Sequence, residues 1–429
     1  MKRYPHYKPS GIQWIGDVPE HWKKARLFSV AYEHYISNKT THHQNLLSLS
    51  YGRIIRKDIN TTDGLLPASF DGYQIVEPDN VVLRLTDLQN DHRSLRVGFV
   101  TETGIITSAY LCLAARKNIV PQYLYLYLHT NDVHKVFYGM GGGLRQSLDY
   151  SELRKLPVFI PPSDEQQAIV DFIDHKIREI DGYIAAKEAE IEKLGTLKQT
   201  IIQRAVTRGL DPNAPMKDSQ IPWIGDVPKH WKTMRLAVGF SENKWKNSDY
   251  LYHSALKFYY GALVSKNESG DLSDLHDTYV DYTVLKQGDI VINGLNLNYD
   301  FVSLRVAQAT SGGIITSAYL TITPREGFNS DFYTYFFKAM DAKKLFHGMG
   351  TGIRLTLSYS ELKKQPILIP PPEEQSDIVK YIDRKIREID GYIGKIREQI
   401  EKLKLYKQRL ISDAVTGKID VRTTSPAGE

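Results

Sequence analysis

The chain is an imperfect tandem repeat of itself. The segment IQWIGDVPEHWKKARL, which begins at Ile12, recurs as IPWIGDVPKHWKTMRL from Ile221, 209 residues later. The same offset separates two copies each of SLRV, GIITSAYL and KIREIDGYI. A duplication of this kind constrains the whole architecture, because each copy is expected to fold as one similar unit. The 429 residues therefore divide into two units of 209 residues and a short tail.

The likeness between the two copies is uneven. From Phe28 to Arg93, set against Ala237 to Val302, little survives beyond landmarks such as Tyr51-Gly52 and Tyr260-Gly261. A duplicated enzyme would keep its catalytic residues in both copies or lose one copy altogether. A duplicated reader of two different targets would keep its scaffold and vary its reading surface, and this second pattern is the one in the sequence.

Each copy begins with a mixed region and ends with a long helix. Short β-rich runs such as DNVVLRL, a helix-like stretch YLYLYLH and turns at Gly and Pro predict an α/β (α+β) fold for the first part. After each pair of prolines the pattern changes to a long helix, with a capping box predicted at Ser163 and Gln166. We expect globular domains at 1–162 and 211–371, helical regions at 163–210 and 372–417, and a tail at 418–429.

Apolar residues in the two helical regions recur at spacings of three and four, which is typical of a coiled-coil seam. Lys187 and Lys198 interrupt the first seam without ending its register. The prediction is that the helices pair with each other in antiparallel orientation; the alternative is two amphipathic helices that pack only on their own domains. The predicted pairing positions are Ile173, Ile177, Ile180, Ile184, Ile191, Leu194, Ile382, Ile386, Ile389, Ile393, Ile400 and Leu403.

Motifs for catalysis are missing from the sequence. It has no phosphate-binding GxxxxGK[ST] run, no HExxH zinc motif and no Asn/Asp-Pro-Pro-aromatic run for holding a flipped adenine. Cys112 aligns with Thr321 in the second copy, and the pair His42-His43 lacks metal-ligand spacing. We therefore expect no catalytic residue and no metal on this chain. The single cysteine and the absence of a long apolar run predict a cytoplasmic protein with no membrane segment.

The doubled order of motifs resembles the specificity subunit of type I restriction-modification enzymes. The resemblance rests on a WIGDVPEHW-like opening, the variable region, a GMGGGLRQSLDYSELRKLPVFIPP segment, an EQQAIVDFID helix start and the long helix, each present in similar form in both copies. It implies two target recognition domains that each read half of a bipartite DNA sequence, with the helices as spacer and docking surface. It also implies partner subunits: two methyltransferase subunits that use S-adenosylmethionine, and restriction subunits that use ATP and magnesium. No cofactor is expected on this chain.

Comparison of the copies sorts candidate contacts with double-stranded DNA. Side chains that read bases of unlike half-sites should differ between copies, whereas phosphate contacts can be shared. The predicted phosphate contacts, which match between copies, are Lys57, Lys266, Arg145 and Arg354. The predicted base readers are Arg53, Arg56, Arg84 and Asn293, with Gln44, Asn45, Lys244, Lys246 and Asn247 from the variable region. For each, the alternative is a solvated surface residue.

Two rival functions are compatible with parts of the sequence. A net charge of only +5 also suits a two-headed coiled-coil adaptor whose variable domains bind two different proteins. A single-chain nuclease or methylase is a third reading, but no motif supports it. The two tryptophans near the start of each copy, Trp14 and Trp22 in the first and Trp223 and Trp231 in the second, are expected to anchor the core.

Overall fold

The computed structural model describes residues 2–40, 43–60, 69–91, 93–140, 147–266, 276–352 and 355–422. The chain forms two compact units. Unit 1 consists of residues 1–187 together with 398–429, and unit 2 consists of residues 188–397. The units therefore differ from the linear division expected from the sequence, because each long helix contributes one part to unit 1 and the other part to unit 2.

The first half of the chain holds thirteen named strands and three helices within its described residues. The strands are β1 (Tyr7–Pro9), β2 (Asp17–Pro19), β3 (Lys23–Arg26), β4 (Ala31–Glu33), β5 (Ile36–Ser37), β6 (Leu47–Ser50), β7 (Arg53–Arg56), β8 (Gln74–Val76), β9 (Val81–Leu83), β10 (Val97–Phe99), β11 (Gly104–Ile106), β12 (Leu111–Ala115) and β13 (Pro157–Ile160). The helices are α1 (Pro121–Val133), α2 (Tyr150–Leu153) and α3 (Ser163–Arg208).

The second half repeats these elements at the same offset, except that β5 has no equivalent strand among the described residues and α4 is an added helix. Its strands are β14 (Met216–Asp218), β15 (Asp226–Pro228), β16 (Lys232–Arg235), β17 (Phe240–Glu242), β18 (Leu256–Tyr259), β19 (Ala262–Ser265), β20 (Thr283–Leu285), β21 (Ile290–Ile292), β22 (Val306–Gln308), β23 (Gly313–Ile315), β24 (Leu320–Pro324) and β25 (Pro366–Ile369). Its helices are α4 (His276–Tyr279), α5 (Ser330–Ala342), α6 (Tyr359–Leu362) and α7 (Pro372–Val415).

A four-stranded antiparallel sheet forms the centre of each unit. The strand order is β10-β9-β12-β4 in unit 1 and β22-β21-β24-β17 in unit 2, so the repeat preserves the topology. The helix α1 packs on β10, and α5 packs on β22. The mixed α/β class predicted from the sequence is confirmed, and the ladders between the named strands of the described residues are all antiparallel.

The repeated tryptophan motif closes against the start of the long helix. In unit 1, Trp22 is fully buried and its indole Nε1 donates a hydrogen bond to Glu165 at 2.9 Å. His21 lies 2.7 Å from the same carboxylate. Trp231, His230 and Glu374 repeat this arrangement in unit 2. The tryptophans Trp22 and Trp231 are core anchors, as expected, while Trp14 and Trp223 are partly buried at the edge of the two cores.

The predicted capping box at the start of α3 is wrong. Gln166 is buried, and its Oε1 accepts a hydrogen bond from the Val120 amide at 2.7 Å while its Nε2 donates to the Pro161 carbonyl at 2.9 Å. Gln375 makes the equivalent bonds to Asn329 and Pro370 in unit 2. The glutamine therefore ties the helix to a distant loop, since a buried amide must satisfy its polar atoms wherever partners lie.

Within unit 1 the first part of α3 packs beside the last part of α7. Ile173 and Ile180 share one core with Leu410 and Ala414. Lys407 of α7 donates hydrogen bonds to Asp181 of α3 at 2.7 and 2.8 Å. The apolar stripe of α3 is thus buried on its own unit and on a second helix at once.

Unit 2 contains the reciprocal arrangement. Ile202 and Ala205, near the end of α3, share a core with Ile382, near the start of α7, so the helices run antiparallel. Lys198, one of the residues that interrupt the seam, pairs with Asp390 at 2.8 Å, the repeat equivalent of the ion pair in unit 1. The predicted pairing positions are buried or partly buried throughout: Ile173, Ile177, Ile180, Ile184, Ile191, Leu194, Ile382, Ile386, Ile389, Ile393, Ile400 and Leu403.

The described residues after α7, 416–422, contribute to the unit 1 core, in contrast to the separate tail expected from residue 418. Ile419 and Val421 are buried with the N-terminal strands. The amide of Asp420 donates to the Lys2 carbonyl at 2.9 Å, and Tyr7 donates its hydroxyl to the Gly417 carbonyl at 3.0 Å. These contacts join the two ends of the described chain in unit 1. At the equivalent place in unit 2 the backbone runs continuously from α3 to β14.

Gly417 supplies a test of this closure. Its φ is +75°, and a Cβ atom there would lie 2.3 Å from Pro19 Cδ. We expect Gly417→Ala to lower the free energy of unfolding by about 1 to 3 kcal/mol, because it combines a strained φ with overpacking. Gly182→Ala, in open space on α3, should instead raise it by up to about 1 kcal/mol. Urea unfolding of the full chain measures both; equal stability of the two variants would contradict the closure.

Candidate nucleic-acid interface

A short β-hairpin occupies the variable region of each unit. Strands β6 and β7 pair in unit 1, and β18 and β19 pair in unit 2. The turns are the landmarks Tyr51-Gly52 and Tyr260-Gly261, with φ values of 46° and 78° in the first and 45° and 73° in the second. Two consecutive positive φ values define the turn whose twist suits a two-residue hairpin loop. Both tyrosines are exposed, by 74% and 80%.

The two faces of each hairpin differ in how far the repeat preserves their chemical character, apart from the inner-face end position that holds Arg56 in unit 1 and Ser265 in unit 2. Side chains alternate between the faces of a strand. On the inner face, Leu47, Leu49 and Ile54 pack in a core cluster in unit 1, and their equivalents in unit 2 are also apolar and packed: Leu256, Phe258 and Leu263. The packing is close, because a Cβ on Gly98 would lie 2.6 Å from a Leu49 methyl group.

The outer face changes in chemical character at three of its four positions, and at the fourth Ile55 becomes Val264. The strand register places Ser48 opposite Ile55 and Ser50 opposite Arg53 in unit 1. The equivalent positions of unit 2 carry Lys257, Tyr259, Ala262 and Val264. Each hairpin therefore keeps an apolar inner face for packing and presents a different outer face to solvent, which is the division expected of a scaffold that carries a reading surface.

A second variable segment lies next to each hairpin turn. It comprises residues 84–96 in unit 1 and 293–305 in unit 2, and we call it the arginine-anchored loop. In the hairpin turns, a Cβ on Gly52 would lie 2.9 Å from the Cβ of Leu95, and one on Gly261 would lie 3.0 Å from the Cβ of Leu304. The hairpin turn and this loop thus form one continuous surface in each unit.

A buried arginine holds each of these loops in shape. Arg96 and Arg305 come from the repeated SLRV motif, and both are fully buried. The Arg305 guanidinium donates hydrogen bonds to the carbonyls of Asn293, Leu295 and Asp300 at 2.9, 2.8 and 2.6 Å. Arg96 makes the equivalent bonds to carbonyls of its own loop. The buried charge is stabilised because backbone oxygens surround it.

Aspartates stiffen the tips of both loops. Asp300 accepts hydrogen bonds from the amides of Val302 and Ser303 at 3.1 and 2.9 Å. Hydrogen bonds from Ser303 lower the pKa of Asp300 to about 2, and Ser94 lowers that of Asp91 in the same way. Both carboxylates are therefore ionised at neutral pH, where they remain strong acceptors.

Three of the predicted base readers of unit 1 lie on or beside the first hairpin: Arg53, Arg56 and Asn45. Arg53 is exposed on the outer face, and its charge opposes the burial that raises the pKa of Tyr125 on α1. Arg56, exposed at the end of β7, donates hydrogen bonds to Glu102. Asn45 donates to the same carboxylate at 3.1 Å and to the Thr103 carbonyl at 2.7 Å. The pairing with Glu102 holds the guanidinium of Arg56 beside Asn45.

The other two predicted readers of unit 1 occupy neighbouring segments. Gln44 is exposed just before the hairpin. Arg84 is partly buried where the arginine-anchored loop begins, and its backbone carbonyl accepts a hydrogen bond from Arg96 at 3.2 Å. Gln44 therefore lies beside the hairpin and Arg84 lies at the start of the arginine-anchored loop, so each variable segment has one of these two side chains.

The predicted readers of unit 2 differ in exposure and in the groups that they contact. Lys244 is exposed and lies 3.0 Å from Glu242. The ammonium of Lys246 donates to the Asp281 carbonyl at 2.8 Å and also to the Ser317 hydroxyl. Asn293 is partly buried at the start of the arginine-anchored loop, and its Oδ1 accepts from the Leu295 amide at 3.2 Å.

Asn247 does not belong among exposed readers. Its side chain is only 2% exposed, and its amide donates to the carbonyls of Tyr252 and Tyr279 at 2.8 and 3.2 Å while its Oδ1 accepts from the Tyr252 amide at 3.0 Å. Asn38, 209 residues earlier, is equally buried and closes the equivalent loop through His43. The repeat offset itself carried this signal, because a residue retained in both copies indicates scaffold.

Of the four predicted phosphate contacts, the structure describes one in each unit, Lys57 and Lys266. Lys57 and Lys266 each follow a hairpin, and their amides donate to the carbonyls of Leu46 and Ala255 at 2.8 Å. Lys57 is exposed and Lys266 is partly buried. Arg145 and Arg354 lie outside the described residues.

Sequence reasoning missed several exposed residues of this surface. Lys257 and Tyr259 stand on the outer face of the second hairpin, and Tyr51 and Tyr260 form the exposed turns. A period-two reading of the hairpin strands, combined with the repeat offset, would have identified the first two. The tyrosines were recognised as landmarks of the repeat, but nothing in the sequence showed that they are exposed.

The described ranges contain no metal-binding cluster: no group of three or more His, Cys, Asp or Glu side chains there is placed to hold a metal ion. Burial raises the pKa of the Cys112 thiol to about 12, so this thiol stays protonated at neutral pH. The described helices include none that is both long and apolar enough to cross a membrane.

Comparisons with known proteins agree on one family. A family model described as the type I restriction modification DNA specificity domain matches residues 99–193 and 240–402. Two relatives from Methanocaldococcus jannaschii are similar to the chain, the MjaX and MjaVIII specificity subunits of type I restriction enzymes. The first is 22% identical over 95% of this chain and 96% of the relative. The second is 23% identical over 81% of each.

Solved structures share the fold. One similar chain comes from a study of complex assembly and conformational transition in a type I restriction-modification system, with a TM-score of 0.63, 14% identity and coverage of 94% of this chain and 99% of that one. Another is the HsdS subunit from Thermoanaerobacter tengcongensis, with a TM-score of 0.50, 14% identity and coverage of 94% and 98%. At these identities the likeness concerns the fold.

The buried arginine of the loop gives a prediction for unit 2. Arg305→Gln should lower the free energy of unfolding by about 3 to 5 kcal/mol, because it leaves several buried carbonyls without their donor. Hydrogen exchange at residues 293–304 should rise as the loop loses its anchor. Arg93→Gln, an exposed position on the loop of unit 1, serves as the control and should change neither quantity. Unchanged exchange in Arg305→Gln would contradict the anchoring role.

Proposed function

Since the chain belongs to the family of type I restriction modification DNA specificity proteins, we propose that it reads a bipartite, asymmetric target in duplex DNA. In this proposal each unit reads one half-site. One observation carries it: three of the four paired inner-face positions stay apolar in both hairpins, whereas three of the four outer-face positions change in chemical character. Two unlike surfaces on one repeated scaffold suit two unlike half-sites.

Within each unit the proposal assigns separate roles to shared and differing residues. The outer face of the hairpin and the exposed tip of the arginine-anchored loop read base edges, because they vary between the copies. Lys57 and Lys266 contact phosphates, since they match and the backbone charge is the same in every sequence. The exposed tyrosines of the turns are shared, so they belong with the groups that position the DNA.

The proposal also includes partner subunits. Exposed apolar side chains on the long helices are available to a protein partner: Tyr183, Leu197, Tyr392, Leu405 and Tyr406. Tyr183 and Tyr392 are equivalent in the repeat, which favours docking of two copies of one methyltransferase subunit. In this proposal S-adenosylmethionine is bound by those subunits, and ATP and magnesium by the restriction subunits. The role of the helices as a spacer between half-sites stays a prediction from the sequence.

Selection from random-sequence duplexes tests the function. The full chain, alone and with its methyltransferase subunit, is mixed with a duplex library, and the bound fraction is sequenced. We expect two short preferred elements separated by a fixed unspecific gap. A two-headed protein adaptor would select no sequence, and that outcome would reject the proposal.

A pair of variants on the first hairpin tests the division between readers and positioners. Arg53→Ala should lose about 1 to 3 kcal/mol of discrimination at one base position. Lys57→Ala should weaken binding to all sequences alike and reduce the salt dependence by about one phosphate contact. Binding isotherms for the selected duplex and its single-base variants, each at several salt concentrations, separate the two effects. Identical behaviour of both variants would show that the division is wrong.

A further inference from the structure

The reading surface of unit 2 is unusually apolar. Its hairpin turn and the tip of its arginine-anchored loop expose six apolar or aromatic side chains that we call the apolar patch. They are exposed by between 51% and 90%, and they are Tyr259, Tyr260, Tyr299, Phe301, Val302 and Leu304. The hairpin and loop portions of the patch are joined where Gly261 of the turn lies against Leu304.

The patch is held rigidly in its exposed position. Phe301 stacks on His347 at a centroid distance of 4.6 Å, and His347 Nε2 lies 3.0 Å from the Asp300 carbonyl oxygen. Asp300 accepts the amide of Val302, and Arg305 fixes the carbonyl of Asp300 from below. A loop so constrained cannot fold its apolar tip inward. It also loses little conformational entropy when a ligand covers it.

Unit 1 has a different surface at the equivalent positions. Ser50, Asn90 and Arg93 stand where unit 2 has Tyr259, Tyr299 and Val302. Asn90 and Arg93 are exposed, and Ser50 is partly buried. The scaffold beneath is the same in both units, since Arg96 and Arg305 make equivalent hydrogen bonds. At these three positions the chemistry changes from polar in unit 1 to apolar in unit 2, whereas Tyr260 and Leu304 are matched by Tyr51 and Leu95.

This difference argues against a protein partner as the occupant of the patch. Identical partner subunits would require similar surfaces on both units, and the patch is present on one alone among the described residues. The feature that differs between the two units, under the proposed function, is the DNA half-site. The patch also adjoins Lys257 on the outer face of the hairpin, a position that varies with it.

In the major groove of duplex DNA the apolar group available for contact is the C5-methyl of thymine. We infer that unit 2 recognises its half-site through thymine methyl groups that pack against the apolar patch, whereas unit 1 recognises its half-site by hydrogen bonds. The inference rests on the proposed function and adds the chemical class of its second half-site, a T·A-containing element. Tyr260 and Leu304 are shared with Tyr51 and Leu95 of unit 1, so the specific contacts fall to Tyr259 and to the loop residues Tyr299, Phe301 and Val302.

Replacement of thymine by deoxyuridine tests the inference. Uracil keeps every hydrogen-bonding group of thymine and lacks only the methyl. The target is first selected from random duplexes with the methyltransferase subunit present, and the half-site altered by Arg53→Ala is assigned to unit 1. Each thymine of the other half-site is then replaced singly. We expect a loss of affinity of about fourfold at one or more of them, the fold-change equivalent to about 0.8 kcal/mol for one buried carbon group.

A double variant connects any such loss to the patch. In Tyr299→Ser/Val302→Ser the penalty for deoxyuridine should fall close to onefold at one or more thymines, because the apolar contact is already gone. Both positions are highly exposed, so folding should be retained. The control is Arg93→Ser, at the equivalent of Val302 in unit 1, which should leave every deoxyuridine penalty in the second half-site unchanged.

The outcomes distinguish this inference from the function on which it rests. A second half-site without thymine, or one in which every replacement is silent, overturns the inference while sequence-specific binding remains. A penalty that persists in the patch variant overturns it as well, because the methyl would then contact some other surface. Absence of any selected sequence with the methyltransferase present would reject the proposed function itself.

Discussion

Burial of the apolar stripes on the two long helices is the constraint on which both units depend. Helix α3 has 46 residues and α7 has 44, and a stripe of that length needs a partner along all of it. Each unit meets the need with one part of both helices. The ion pairs Lys407–Asp181 and Lys198–Asp390 join the two helices at equivalent positions of the repeat in the two units. The last part of α7 belongs to unit 1 for this reason.

The packing of the helix starts then fixes the recognition units. Glu165 and Glu374 hold the tryptophan motifs, and Gln166 and Gln375 hold the loops before α1 and α5. Glu165, Gln166 and Gln375 are buried and Glu374 is partly buried, and each is engaged in hydrogen bonds, so their identity is constrained in both copies. Above them, Arg96 and Arg305 shape a loop mainly through backbone carbonyls. Anchoring through the backbone leaves the side chains of the loop tip free to vary, and the two copies differ there.

Much of this architecture could be predicted from the sequence. The repeat offset and the spacing of isoleucines predicted two α/β units and an antiparallel pair of long helices starting at residues 163 and 372, and α3 and α7 begin at Ser163 and Pro372. The residues of the candidate nucleic-acid interface were harder to predict from the sequence. Asn247 looked like a reader because it lies in the variable region, yet its amide is used up in closing a loop. Lys257 and Tyr259 went unnoticed because their exposure depends on the strand register.

The sequence by itself determined the duplication, the periodicity of the helices and the contrast between preserved flanks and a variable middle. These properties are local or depend only on comparing the copies, so no knowledge of packing is needed. Only the tertiary structure decided which variable side chains face solvent, that the residues after α7 complete unit 1, and that the tip of the second loop is apolar and rigid. The physical reason is that burial and hydrogen bonding are settled by contacts between distant segments, as in the anchoring of residues 293–300 by Arg305.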